Sequence, residues 1–127
     1  MSMSKGERRM KELLSLALPN EEFVENFRPD WLKNPATGAN LELDRYYPRL
    51  LLGFEFNGPQ HRKEIGEKQW ERDKLKKHLC AKHGVLRIVF YWGELSMKRV
   101  VEKISDSHLM RASWKNGKPW IKRDNPK

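Results

Sequence analysis

The chain has 127 residues, 38% of them hydrophobic and 34% charged. That is the size of one ordinary domain, too apolar for a disordered chain and too polar for a membrane protein. Lysine and arginine total 26 against 17 aspartates and glutamates, a net charge of +9, and a small domain this basic is usually built to meet an anion, most often nucleic acid; the plainer alternative is excess lysine that only solvates the surface.

There is no run of ~18 apolar residues to span a membrane. Met1 to Leu18 carries charge throughout, so no secretory leader is expected. The single cysteine, Cys80, excludes an internal disulfide and a multi-cysteine zinc site, and it fits a reducing, cytoplasmic setting.

Ser4-Lys5-Gly6-Glu7 has the serine-to-glutamate spacing of a capping box. Met10, Leu13, Leu14, Ala17 and Leu18 follow at helical spacing, which predicts an amphipathic helix from about Ser4 to Leu18, stopped by Pro19-Asn20. Phe23 to Phe27 is aromatic and β-favouring and reads as a first strand. Residues 28–40 are loop-like, with Pro29, Asn34-Pro35 and Thr37-Gly38 as punctuation. Leu41 to Tyr46 alternates as a half-buried strand, and Leu50 to Phe56 is apolar enough to be central in a sheet. The two read as an antiparallel hairpin across Tyr47-Pro48-Arg49.

Glu64 to His83 is a long charged helix with Gly84 at its C-terminal cap, and Ile65, Leu75 and Leu79, with Trp70 alongside, form its apolar seam. Val85 to Trp92 is a nearly unbroken apolar run, hence a buried strand, and Leu95, Val100, Val101 and Ile104 suggest a last helix. These elements give an α/β fold with a mixed sheet: an antiparallel hairpin plus a strand delivered by a helical crossover. Residues 1–107 form the expected domain, and 108–127, with six basic residues, one acid, Trp114 and Trp120, a basic tail or arm.

A buried strand excludes an unpaired carboxylate because desolvating it is expensive. Yet Glu55 interrupts Leu50 to Phe56, and Asp44 ends the strand before it. A two-residue hairpin loop at Pro48-Arg49 would set Asp44 opposite Gly53 and Glu42 opposite Glu55, with Asp44, Glu55 and Asn57 on one face. Two carboxylates there suit a hard divalent cation, which would polarise a phosphodiester and acidify a bound water. The structural alternative is that Glu55 pairs with an arginine. His61, just past Gly58-Pro59-Gln60, is placed to carry a proton. Lys68, Arg72 and Lys76, among other cations of the long helix, could track phosphates or form a solvated face. His78, His83 and His108 lack metal-ligand spacing, Asp30 reads as a turn residue, and Cys80 as a buried thiol.

The stretch Leu41-Glu42-Leu43-Asp44, a turn with Pro48, then Phe54-Glu55-Phe56-Asn57-Gly58-Pro59-Gln60-His61 resembles the PD-(D/E)XK nuclease superfamily. It is closest to the branch resembling very-short-patch-repair and phage homing endonucleases. Ser4 to Glu7, Arg72-Asp73 and Gly84 to Arg87 extend the likeness over roughly residues 4 to 92. The resemblance implies a restriction-endonuclease-like αβββαβ core with a mixed sheet flanked by helices, and an Mg²⁺-dependent DNA endonuclease, Mn²⁺ substituting. Asp44 and Glu55 would be the metal ligands, Glu7 a third acid (or only a capping residue), and His61 the proton carrier. The family's lysine two residues after the strand acid is replaced by Asn57; Gln60, His61 or a lysine such as Lys63 would have to substitute. The expected partner is DNA, with a second copy or a separate specificity partner for double-strand cleavage. The competing expectations are a non-catalytic nucleic-acid-binding module on the same scaffold and a protein-interaction subunit.

Overall fold

The computed structural model describes residues 3–58 and 62–112. In chain order the elements are α1 (Lys5–Ala17), β1 (Val24–Phe27), β2 (Leu43–Tyr47), β3 (Leu52–Phe56), α2 (Arg62–Lys82), β4 (Leu86–Phe90), a 3₁₀ turn (Trp92–Glu94) and α3 (Met97–Ala112). The strands form one sheet in the order β1-β2-β3-β4. β1/β2 and β2/β3 pair antiparallel, and β3/β4 pair parallel after the α2 crossover. The α/β class and mixed sheet expected from the element order are therefore present, with β3 central.

Each helix end follows from local chemistry. Ser4 Oγ accepts the Glu7 N–H at 3.1 Å and starts α1. Gly84 closes α2 at φ +76. Its N–H donates to Ala81 O (3.1 Å) and the Val85 N–H to Cys80 O (2.8 Å), the paired bonds of a Schellman stop.

The sheet is covered on both faces, so two apolar clusters form. On one face Met10, Leu13 and Leu14 of α1 and Val100 of α3 bury Tyr47, Leu52, Phe54, Leu86, Ile88 and Phe90. On the other, Leu32, Leu43, Tyr46, Cys80 and Val85 pack together. β4 alternates accordingly, sending Arg87 and Val89 away from the first cluster. β4 is an edge strand, and Lys103 of α3 covers it by donating Nζ to Val89 O at 2.5 Å.

The hairpin differs from the sequence expectation. The register is Arg45 with Phe54, Tyr46 with Gly53 and Tyr47 with Leu52, leaving residues 48–51 in the loop. Leu50 and Leu51 look like strand but are turn. Leu51 sits at φ +56, and its carbonyl accepts the Leu86 N–H (3.0 Å) and Arg111 Nη2 (2.7 Å), which fixes the bend. The pairing is thereby shifted by two residues from the one expected, and continuing it sets Asp44, not Glu42, across from Glu55. The pairing itself ends at Arg45 and Phe54, before Asp44 and Glu55.

The end of β2 is irregular. Leu43 and Tyr46, three residues apart, both join the second cluster, while Arg45 and Tyr47 turn to the α1 side, where Arg45 donates to Lys11 O at 3.2 Å. Alternation has slipped by one between them, although the pairing with β1 keeps one register throughout. In β1, Asn26 at φ +48 is the matching irregularity.

α2 also faces differently. Trp70, expected on the seam, is exposed with Lys74 Nζ 4.2 Å from its ring centre. The buried positions on α2 include Lys76 and Cys80. α3 continues beyond the expected boundary at residue 107: Ser107 is buried, and Arg111 ties the helix to Leu51. The remaining tail, including Trp114 and Trp120, lies outside the described residues.

Candidate functional site

Asp44, Glu55 and Glu7 come from three elements that meet at one end of the sheet. α1 reaches that end because residue 6 is glycine: any side chain there would run into the Phe56 ring. Glu7 follows directly. Just past the last β2/β3 pair, Asp44 Oδ2 accepts the Phe56 N–H at 2.8 Å.

Asp44 is the perturbed member. Burial pushes its carboxyl up from an ordinary 3.8 to about 6. The Phe56 N–H works against the rise, and the charges of Glu7 and Glu55 add to it. Lys11 offsets part of this from α1. Among the described residues no lysine or arginine forms an ion pair with Asp44.

The two flanking acids are partnered. Lys76 Nζ lies 2.7 Å from Glu55 Oε1, and Arg87 Nε bonds Oε2. All three are largely buried. Arg87 also reaches Asp73 (3.2 Å), which Gln69 contacts at 3.4 Å. Glu55 thus sits between two cations, the arrangement anticipated as the structural alternative, with a lysine added. On the opposite face Lys11 bridges Glu7 and Glu25, each at 2.9 Å. Burial opposes the Lys11 charge, but the bonds to those two acids outweigh it and raise its pKa. Glu25 in turn pairs with Arg45 at 2.8 Å.

The other sequence candidates fall as follows. Asn57 continues the β3/β4 ladder by donating its backbone N–H to Phe90 O at 2.9 Å. Glu42 is held by Asn26 Nδ2 and Arg28 Nε, each at 2.7 Å. Asp30 accepts from Asn40 at 3.1 Å within the loop, consistent with a turn role. Lys68 and Arg72 are exposed on α2. Lys76, expected among the phosphate-tracking cations, is instead buried against Glu55, because it lies one turn before Cys80 on the face that packs on the sheet. Gln60, His61 and the side chain of Lys63 lie outside the described residues.

Sequence reasoning missed Lys11 and Arg87. Lys11 follows Glu7 by four residues, the spacing of a helical ion pair. Arg87 is the one charge in an apolar strand, and a lone buried cation demands an acid.

Asp44 and Glu55 are carboxylates, oxygen ligands of the kind that suit a hard ion such as Mg²⁺. Among the described residues no group of three or more histidines, cysteines, aspartates and glutamates converges as a ready metal cluster. Mg²⁺ does not need one, since it is commonly held through one or two carboxylates and keeps several waters. Asp44, crowded by like charge and without an ion-pair partner among the described residues, fits such an ion.

Three viral proteins are similar to this chain. Uncharacterized protein 033L of Invertebrate iridescent virus 3 is 43% identical over 70 residues, covering 48% of this chain and 36% of the relative. Uncharacterized protein 307L of Invertebrate iridescent virus 6 is 41% identical over 83 residues, covering 54% and 42% respectively. Uncharacterized protein 094L of Frog virus 3 (isolate Goorha) is 33% identical over 94 residues, covering 66% and 59%. The chain spans less than half the length of the first two relatives. No protein-family model matches the chain, and no solved structure does. Among the described residues no helix is long and apolar enough to cross a membrane.

Proposed function

We propose that this chain is a Mg²⁺-dependent DNA endonuclease built on a restriction-endonuclease-like core of the PD-(D/E)XK type. The observation that carries the reading is Asp44: a half-buried carboxyl pushed up to about 6 by burial, with the charges of Glu7 and Glu55 adding to the rise. The element order α1-β1-β2-β3-α2-β4 agrees with the αβββαβ core, and the +9 charge suits a polyanionic substrate.

Asp44 and Glu55 would hold the ion, with Glu7 adjoining. Bound there, Mg²⁺ would supply Lewis-acid polarisation of the phosphodiester and a water acidified toward neutral pH. The Phe56 N–H fixes the Asp44 carboxylate. Lys68 and Arg72, one turn apart and exposed on α2, would contact phosphates and set register without reading sequence. His61 is assigned proton transfer.

A second reading is a nucleic-acid-binding module that does not cut. Asn57 in the lysine position and the engagement of both Glu55 oxygens by cations favour it. A plasmid-nicking assay with Mg²⁺ or Mn²⁺ against an EDTA control separates the two. The nuclease reading expects metal-dependent nicking that Asp44→Asn abolishes while DNA affinity holds. Asp44→Asn is a cleaner test than Glu55→Ala, which would strand two buried cations. Salt-sensitive binding without nicking would establish the module instead.

A further inference from the structure

We infer that the outward strip of α2 formed by Trp70, Lys74 and Lys77 is a binding surface for an unpaired stretch of DNA. That the polyanion is DNA rests on the nuclease reading above. The surface itself is separate from Glu55, which meets α2 through the buried Lys76, whereas these three side chains are exposed.

The positive charges of the chain are not treated alike. Arg28, Arg45, Arg87, Arg99 and Lys103 each lie against an acid. The exposed cations of α2, namely Lys68, Arg72, Lys74, Lys77 and Lys82, form no ion pair among the described residues. Glu71 is the one exposed acid among the described side chains of that helix. A helix that is merely solvated sets glutamates against its lysines at neighbouring turns. Cations left uncompensated along one element suit a phosphate backbone, whose binding releases counterions.

Trp70 decides which polyanion fits. It is 59% exposed, a large aromatic surface left in water. Trp70, Lys74 and Lys77 stand at i, i+4 and i+7, one face of a helix. Lys74 Nζ is 4.2 Å from the ring centre, so an indole and two ammonium groups share one strip. Single strands are bound by this combination: cations follow the backbone while an aromatic ring stacks a base. A base inside a duplex is already stacked on its neighbours, so duplex DNA would meet the lysines and leave Trp70 unused. Lys68 and Arg72, assigned above to phosphate contacts, each precede Trp70 and Lys74 by two residues and so stand about 160° round the helix, on its other flank.

The test measures the affinity of the full chain for a short oligo(dT), a DNA duplex, oligo(U) and inorganic polyphosphate across a salt series, with thermal melting to follow the fold. Trp70→Ala is expected to weaken oligo(dT) binding roughly 10- to 100-fold while duplex and polyphosphate binding hold, and Trp70→Phe to recover most of the loss. Lys74→Gln combined with Lys77→Gln is expected to lower the log–log salt slope for oligo(dT) by about 1.4. Lys33→Gln combined with Lys98→Gln, exposed lysines on other parts of the chain, should leave that slope as in wild type. Oligo(dT) binding that ignores Trp70, an equal loss of oligo(dT) and polyphosphate in Trp70→Ala, or an equal fall in slope for the two lysine pairs overturns the inference. Tighter binding of oligo(U) than of oligo(dT) overturns the choice of DNA. A wild type that nicks plasmid with Mg²⁺ but does not bind oligo(dT) sinks this surface alone. One that binds oligo(dT) through Trp70 and never nicks sinks the nuclease reading and leaves the strip standing.

Discussion

Asp44→Asn should make the protein more stable at neutral pH while removing the proposed activity. A carboxyl held near 6 in the folded state, against 3.8 when free, binds its proton more tightly folded than unfolded. Stability therefore falls as pH rises from about 4 through 6, and the full penalty is present above that range. At ~1.4 kcal/mol per tenfold change in proton affinity, the ceiling is about 3 kcal/mol. Partial access to water reduces this to roughly 1–2 kcal/mol. Asparagine has no such proton to lose, and its side-chain oxygen can still accept the Phe56 N–H. In EDTA at pH 7.5 the variant should melt roughly 4–8 °C above wild type for a chain of this size, and the gap should close near pH 4. Saturating Mg²⁺ should close or reverse the gap at pH 7.5 by stabilising wild type alone, about 2.7 kcal/mol at a hundred times its dissociation constant. A variant melting at or below wild type at pH 7.5, or a difference that ignores pH, would refute the reading of Asp44 as a buried carboxyl held up by desolvation.

Gly6→Ala sets helix propensity, a gain of about 1 kcal/mol, against overpacking on the Phe56 ring, a cost of about 1–3 kcal/mol. The net expectation is destabilisation of about 1 kcal/mol in urea titration, and a stabilised variant would show that the α1 approach is looser than described. Burial pushes the Cys80 thiol up to about 12, and the side chain is fully covered. Native protein at pH 8 should therefore label with a thiol reagent only as fast as it unfolds, and a fast phase without denaturant would contradict the packing of α2 on β4.

The fold was legible where local chemistry and burial agree. The apolar stripe of α1, Gly84 as a positive-φ stop and the buried run of β4 were all visible in residue types. The hairpin register was not, because Leu50 and Leu51 are as apolar as a strand. What turns the chain there is a carbonyl bonded by Leu86 and by Arg111, sixty residues further on. The inward face of α2 was hidden for a related reason. Trp70 looks like core, but Lys76 is the residue drawn inward, by an acid on a distant strand. Within the candidate site, Asp44 and Glu55 stood out as charges in apolar surroundings. Their unequal treatment did not, since it depends on Lys76 and Arg87 converging on Glu55 while Asp44 accepts the Phe56 N–H.

Lys103 has a consequence for self-association. By occupying the Val89 carbonyl it denies an incoming chain one of the acceptors it would need to extend the sheet beyond β4. The opposite border, β1, offers only four residues and is bent by the left-handed Asn26. A sheet capped on one flank and kinked on the other is a poor template for strand addition, so concentrated protein should resist fibrous stacking through its edges.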